Sequence, residues 1–278
     1  MTLSKVIAVG CCLWAASASA VTYEDWSSPQ VSYSGTLLND GTTWLTDPSK
    51  RWAINNWRTV CGADPAGPNR CYLPGNGQLG MHAEGAGPVT GEGFTFGSTN
   101  PISFTNGITI EAQVTPHCYQ GATDSNPSRC GFNLGLWESE RNYRSIGFKS
   151  YPGSSDLYLN LWGPTTDGGG GETSFNGTAP YYNSIPTPAF ATYTVKVQYW
   201  NSPSGWRWDY FLNGNWVAGQ SAIAANDQYH MGPGYFPSNQ VRLQFTGFSY
   251  NPRPDNLEEK YPWSAFEGQI GPITYTTF

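Results

Sequence analysis

Only 12% of this 278-residue chain is charged, while 42 residues are Phe, Trp or Tyr, enough ring surface to bury a large core and too much for a disordered chain. A net charge of −6 argues against nucleic acid and anionic membrane surfaces as partners. With 33 Gly and 21 Pro the chain is rich in turns, and no long helical periodicity runs through it.

Residues 1–20 read as a secretory signal peptide. Lys5 precedes an apolar run from Val6 to Trp14, and the small residues Ala18-Ser19-Ala20 place cleavage after Ala20. Lipoprotein processing at Cys11 fits less well, because Ala8 stands where a large aliphatic residue is preferred. The apolar run is too short for a bilayer, and no later segment approaches the ~18 apolar residues that a span needs. The expectation is an exported protein, secreted or periplasmic, without membrane insertion. About 258 residues then remain, read as one domain over 21–278 and as a monomer.

The signal segment takes two of the six cysteines, leaving Cys61, Cys71, Cys118 and Cys130. An even number in an exported chain points to two disulfides. Of the three connectivities, Cys61–Cys71 and Cys118–Cys130 are favoured, because each closes a short loop rich in Pro, Gly or Asn. Zinc is the weaker reading, since no C-x-x-C occurs and only His82, His117 and His230 could assist.

Up to about Thr105 the chain has weak strand signals and many turns, and it is read as part of the same sandwich. Strands are then expected at ITIEAQV (108–114), GFNLGLW (131–137), YRSIGFK (143–149), LYLNLW (157–162), YTVKVQYW (193–200), WRWDYFLNG (206–214), VRLQFTGF (241–248) and the terminal IGPITYTTF. The glycine-rich stretch 167–180 reads as a surface loop and contains a lone glycosylation sequon at Asn176. Alternation points Ile108, Ile110, Ala112 and Val114 inward and Glu111 and Gln113 outward. The same rule points Asn133, Trp137, Tyr143, Tyr158, Asn160 and Trp162 outward. Trp206, Trp208 and Tyr210 form one alternate set, expected in the core. Outward faces that mix amides with rings suit sugars, whose C–H faces stack on aromatics while their hydroxyls pair with amides and carboxylates.

The segments FTNGITIEAQVTP, FNLGLWESERNYRSIGFK, ATYTVKVQYWNSPSGWRWDYFLNGNWVAG and FEGQIGPITY together resemble the concanavalin A-like lectin/glucanase superfamily. That resemblance implies an all-β, antiparallel jelly-roll β-sandwich of two curved sheets. It does not fix an activity, because this fold hosts lectins, hydrolases and lyases.

The glucanases of that superfamily place acidic residues at alternate positions of one strand, about 5–5.5 Å apart for retaining hydrolysis. Only Glu138 and Glu140 approach this pattern. They continue the inward register of Leu134 and Leu136, so the strand is expected to end near Trp137, with Glu138 to Asn142 forming the connection. The lyases use a Q-x-H strand with Arg and Tyr. Here Val114 and Thr115 follow Gln113, and His117 comes only after Pro116, where a loop histidine is expected and a general base is the alternative. Glu111 is the carboxylate of best phase. Candidate catalytic groups are thus Glu111, Glu138, Glu140 and His117. Candidate sugar contacts are Gln113, Trp137, Tyr143, Tyr158, Asn160 and Trp162.

No cofactor is expected. Lectins of this fold often hold Ca²⁺, for which Asp124 to Asn126 and Asp255-Asn256 are the candidate donors, in a structural role. The leading functional reading is a secreted, lectin-like protein that recognises polysaccharide. A divergent glycan hydrolase or lyase comes second, and a structural surface or wall protein third.

Overall fold

The computed structural model describes residues 19–29, 31–33, 49–54, 59–62, 69–85, 91–119, 129–139, 142–150, 157–164, 170–171, 191–223, 234–250 and 264–278. The residues Glu140, Asp124 to Asn126 and Asp255-Asn256, and residues 1–18 of the expected signal peptide, lie outside these.

The described residues form eighteen strands and no helix. In chain order these are β1 (Val21–Glu24), β2 (Val31–Tyr33), β3 (Trp52–Ile54), β4 (Thr59–Gly62), β5 (Asn69–Tyr72), β6 (Leu79–Gly85), β7 (Gly91–Ser98), β8 (Ile102–Ser103) and β9 (Gly107–Tyr119). There follow β10 (Arg129–Ser139), β11 (Asn142–Ser150), β12 (Leu157–Pro164), β13 (Gly170–Gly171), β14 (Tyr193–Ser202), β15 (Gly205–Leu212), β16 (Asn215–Ser221), β17 (Gln240–Tyr250) and β18 (Ser264–Thr277).

They make two sheets. Sheet A runs β16-β15-β14-β9-β18-β6-β5-β4, with β1 also on β18. Sheet B runs β13-β12-β11-β10-β17-β7-β3-β2, with β8 also on β17. Pairing is antiparallel except for the short β2–β3 and β4–β5 pairs. The non-sequential neighbours, such as β9 between β14 and β18, are those of a jelly-roll sandwich, the expected fold class.

Alternation explains which residues fill the space between the sheets. On β14 Tyr193, Val195, Val197 and Tyr199 are buried, while Thr194, Lys196, Gln198 and Trp200 are partly exposed. Ile108, Ile110, Ala112 and Val114 on β9 extend this set within sheet A, and Phe132, Leu134 and Leu136 on β10 supply the facing set of sheet B. Trp208 and Tyr210 are fully buried and Trp206 packs against the core, as their phase requires. Trp52, Phe96 and Phe245 interlock, with Phe96 and Phe245 stacked at 4.4 Å between ring centroids. Asn213 and Gly214 take φ of 50° and 78°, the double left-handed conformation that closes a two-residue hairpin between β15 and β16.

Three expectations need correction. β10 does not end at Trp137 but continues through a register shift to Ser139. His117 is not in a loop but within β9. The stretch 167–180 is not wholly loop, since Gly170 and Gly171 pair with Pro164 and Gly163 of β12.

Candidate functional site

The residues singled out in the sequence fall on two outer faces. Trp137 and Tyr143 lie directly opposite each other on β10 and β11 of sheet B. The β12 positions Tyr158, Asn160 and Trp162 are in register with Lys149, Gly147 and Ser145 of β11, the same alternate set. Glu111, Gln113 and His117 occupy the outer face of β9, in sheet A. The apolar core separates the two groups, so Glu111 and Gln113 cannot work in one site with the Trp137 and Tyr143 rings of β10 and β11.

On sheet B, Trp137 is only 6% exposed and packs with Ala53 and Tyr143, leaving little ring for a ligand. Nearby, Thr95 and Thr246 share a hydroxyl hydrogen bond of 3.0 Å across β7 and β17. Glu138 is partly buried at the end of β10. Its Oε2 accepts from Asn142 Nδ2 at 2.6 Å, and its Oε1 accepts from Ser238 Oγ. Asn142 also donates to the carbonyl of Tyr235. Glu138 therefore ties the β10–β11 hairpin to the segment entering β17. A carboxylate holding two donors in this way reads as a clamp and not as a free acid.

The outer face of sheet A is built in rows. One row crosses five strands as Thr274, Glu111, Lys196, Phe211 and Trp216, each opposite the next. Lys196 Nζ lies 4.3 Å from the centre of the Phe211 ring. The adjacent row reads Thr276, Thr109, Gln198, Asp209 and Gly219, and a third places Trp200 beside Arg207 and Ser221. Gln113 stands opposite Thr194 at the far end. At the other side of β9, the backbone register aligns Arg70, His82, Glu267 and His117 across β5, β6, β18 and β9.

The β16 part of this surface is not visible in the sequence. Trp216 has the parity of the core residues Ala218 and Gln220, but a register shift inserts an extra residue between them. The shift turns Trp216 to the outer face, where it is 47% exposed.

Cys71 is buried and disulfide-bonded, and Cys61 is its direct neighbour across the β4–β5 pair. Cys118 and Cys130 lie on β9 and β10, in opposite sheets. Among the described residues no group of three or more His, Cys, Asp or Glu is placed to hold a metal ion. The candidate calcium donors, Asp124 to Asn126 and Asp255-Asn256, lie outside the described residues.

Two mainly antiparallel sheets in this order define a jelly-roll β-sandwich. No protein-family model matches the sequence, and neither does any curated protein. Among solved structures the chain is similar to a variant alginate lyase in complex with an alginate trisaccharide, at 13% identity and a TM-score of 0.49, covering 94% of this chain and 99% of that one. It is similar to the carbohydrate recognition domain of Emp47p at 10% identity and 0.45, over 82% and 88% of the two chains. A glycoside hydrolase family protein from Mycobacterium thermorestibile aligns at 14% identity and 0.45, over 92% and 99%. At such identities and TM-scores the likeness carries no conclusion about this chain.

Proposed function

We propose that this chain is an exported polysaccharide-recognising protein that binds its glycan on the outer face of sheet A. The observation that carries the reading is the row from Thr274 through Glu111, Lys196 and Phe211 to Trp216, flanked by Gln198 and Gln113. It offers hydrogen-bonding groups and aromatic surface side by side, as a sugar chain requires. Export is supported by the signal-like residues 1–20 and by β1 beginning at Val21, the residue after the expected cleavage point. A Cys61–Cys71 bridge is supported by their register, and a Cys118–Cys130 bridge would join the two sheets. The reading needs no cofactor and no partner besides the glycan.

The β10–β11 face around Tyr143 is the competing surface, with the β12 positions Tyr158, Asn160 and Trp162 in the same alternate register. An enzyme is the second reading, favoured by the alignment of Arg70, His82, Glu267 and His117, residue types that serve as general acids, bases and anion holders. Incubation with a polysaccharide panel, followed by pull-down and by assays for reducing ends and unsaturated uronates, separates these. Retention without products is the expected result. Product formation abolished by His117→Ala would install the enzyme reading instead.

A further inference from the structure

We propose that Trp200 and Trp216 form a preorganised stacking platform for an uncharged pyranose chain, fixed by the Asp209 carboxylate between them. The inference rests on the reading of this face as a glycan surface and adds the subsite and the ligand class.

Asp209 points outward from the middle strand of the β14–β15–β16 edge, yet is only 5% exposed. Its Oδ2 accepts from Trp200 Nε1 at 2.6 Å, and its Oδ1 accepts from Trp216 Nε1 at 2.9 Å and from Arg207 Nη2 at 2.7 Å. Indoles from the two outer strands are thus anchored to the two oxygens of one carboxylate on the strand between them. Gly219 makes the arrangement possible. A Cβ there would come within 2.3 Å of Asp209 Oδ1 and 2.6 Å of Arg207 Nη2.

An anchored indole has already lost its rotamer freedom, so a ligand that stacks on it does not bear that cost. Trp216 keeps nearly half its surface in water on an edge strand, where an apolar ring without a ligand is a liability. The ligand class follows from charge. Arg207 is paired with Asp209, while Lys196 stands opposite Glu111 and over the Phe211 ring. The charges of the patch are therefore balanced within it, leaving rings and the Gln198 amide to meet a ligand. Beside Arg207 an open hollow of about 280 Å³, edged by Ser204, Trp206 and Ser221, extends the platform with hydroxyls. Such a surface suits stacked neutral sugar rings and gives no net charge for a polyuronate.

The test is affinity electrophoresis of the full chain in gels containing hydroxyethyl cellulose, galactomannan or polygalacturonate, at low and high salt. The expected result is retardation by a neutral polymer, insensitive to salt and weakened at least roughly tenfold in Trp200→Ala and Trp216→Ala. Leu73→Ala, an exposed change elsewhere, should bind as wild type. Asp209→Asn, which keeps one acceptor oxygen, should retain more affinity than Asp209→Ala. Near-UV circular dichroism checks that each variant is folded, and Trp216→Ala alters only an exposed edge residue. Wild-type retardation unchanged in both Trp variants overturns the platform and leaves the glycan reading standing. Retardation by polygalacturonate alone, lost in salt, overturns the ligand class. Retardation by no polymer overturns the glycan reading, and the platform with it.

Discussion

Trp52 donates its indole N–H to Glu24 Oε2 at 2.9 Å, and both residues are completely buried. The other oxygen of Glu24 accepts the backbone N–H groups of Asp25 and Trp26 at 3.0 Å each, and Arg51 Nη1 lies 3.2 Å from Oε2. Trp26 in turn stacks on Trp52 at 5.9 Å between centroids. A single carboxylate therefore locks β1 into the aromatic core. Glu24→Ala leaves buried donors without an acceptor and should cost about 3 kcal/mol. Arg51→Ala removes a half-exposed partner and should cost less than ~1 kcal/mol. Urea unfolding of the two variants checks the contrast.

Alkaline pH should weaken the fold. Burial pushes the Tyr23 hydroxyl up from its ordinary 10.0 to about 12, partly offset by the nearby Ser98 hydroxyl, and burial raises Tyr199 and Tyr193 as well. Because the folded values exceed the unfolded ones, the stabilisation is complete below pH 10. Above that, the unfolded chain releases protons that the folded one retains, and stability falls toward about pH 12 for Tyr23. Tyr23→Phe should flatten part of this decline in thermal melts followed across that range.

Glu138→Ala removes the acceptor shared by Asn142 and Ser238. With the site partly exposed, the expected loss is about 1 kcal/mol, expressed as faster proteolysis near the β10–β11 hairpin, with glycan binding unchanged. A large loss of binding or of product formation would return Glu138 to the functional site.

Trp137→Ala should behave as a packing mutation. The ring is nearly buried against Ala53 and Tyr143, so truncation should cost about 3 kcal/mol. Affinity for polysaccharide below the melting temperature should stay at the wild-type level. Lost affinity in a folded Trp137→Ala variant would move the binding surface to sheet B.

Much of the architecture was legible because alternation is local. The inward sets of β9, β10 and β14 follow from their own residues, as do Trp208, Tyr210 and the Asn213-Gly214 turn. Alternation states that a residue points outward, but it does not state from which sheet. Glu111 and Trp137 thus look like neighbours in sequence logic, although their strands belong to different sheets. Trp216 was hidden for another reason: a one-residue bulge reverses its face, and a bulge is set by the partner strand. β1 to β8 are mostly short strands whose partners, such as β17 and β18, lie far along the chain, so little local pattern marks them.

The most direct test of the central claim is hydrogen–deuterium exchange of the full chain with and without saturating hydroxyethyl cellulose. Added protection in β14, β15 and β16, extending to β9 around Glu111, is the predicted result. Protection confined to β10, β11 and β12 would contradict the assignment of the glycan face to sheet A.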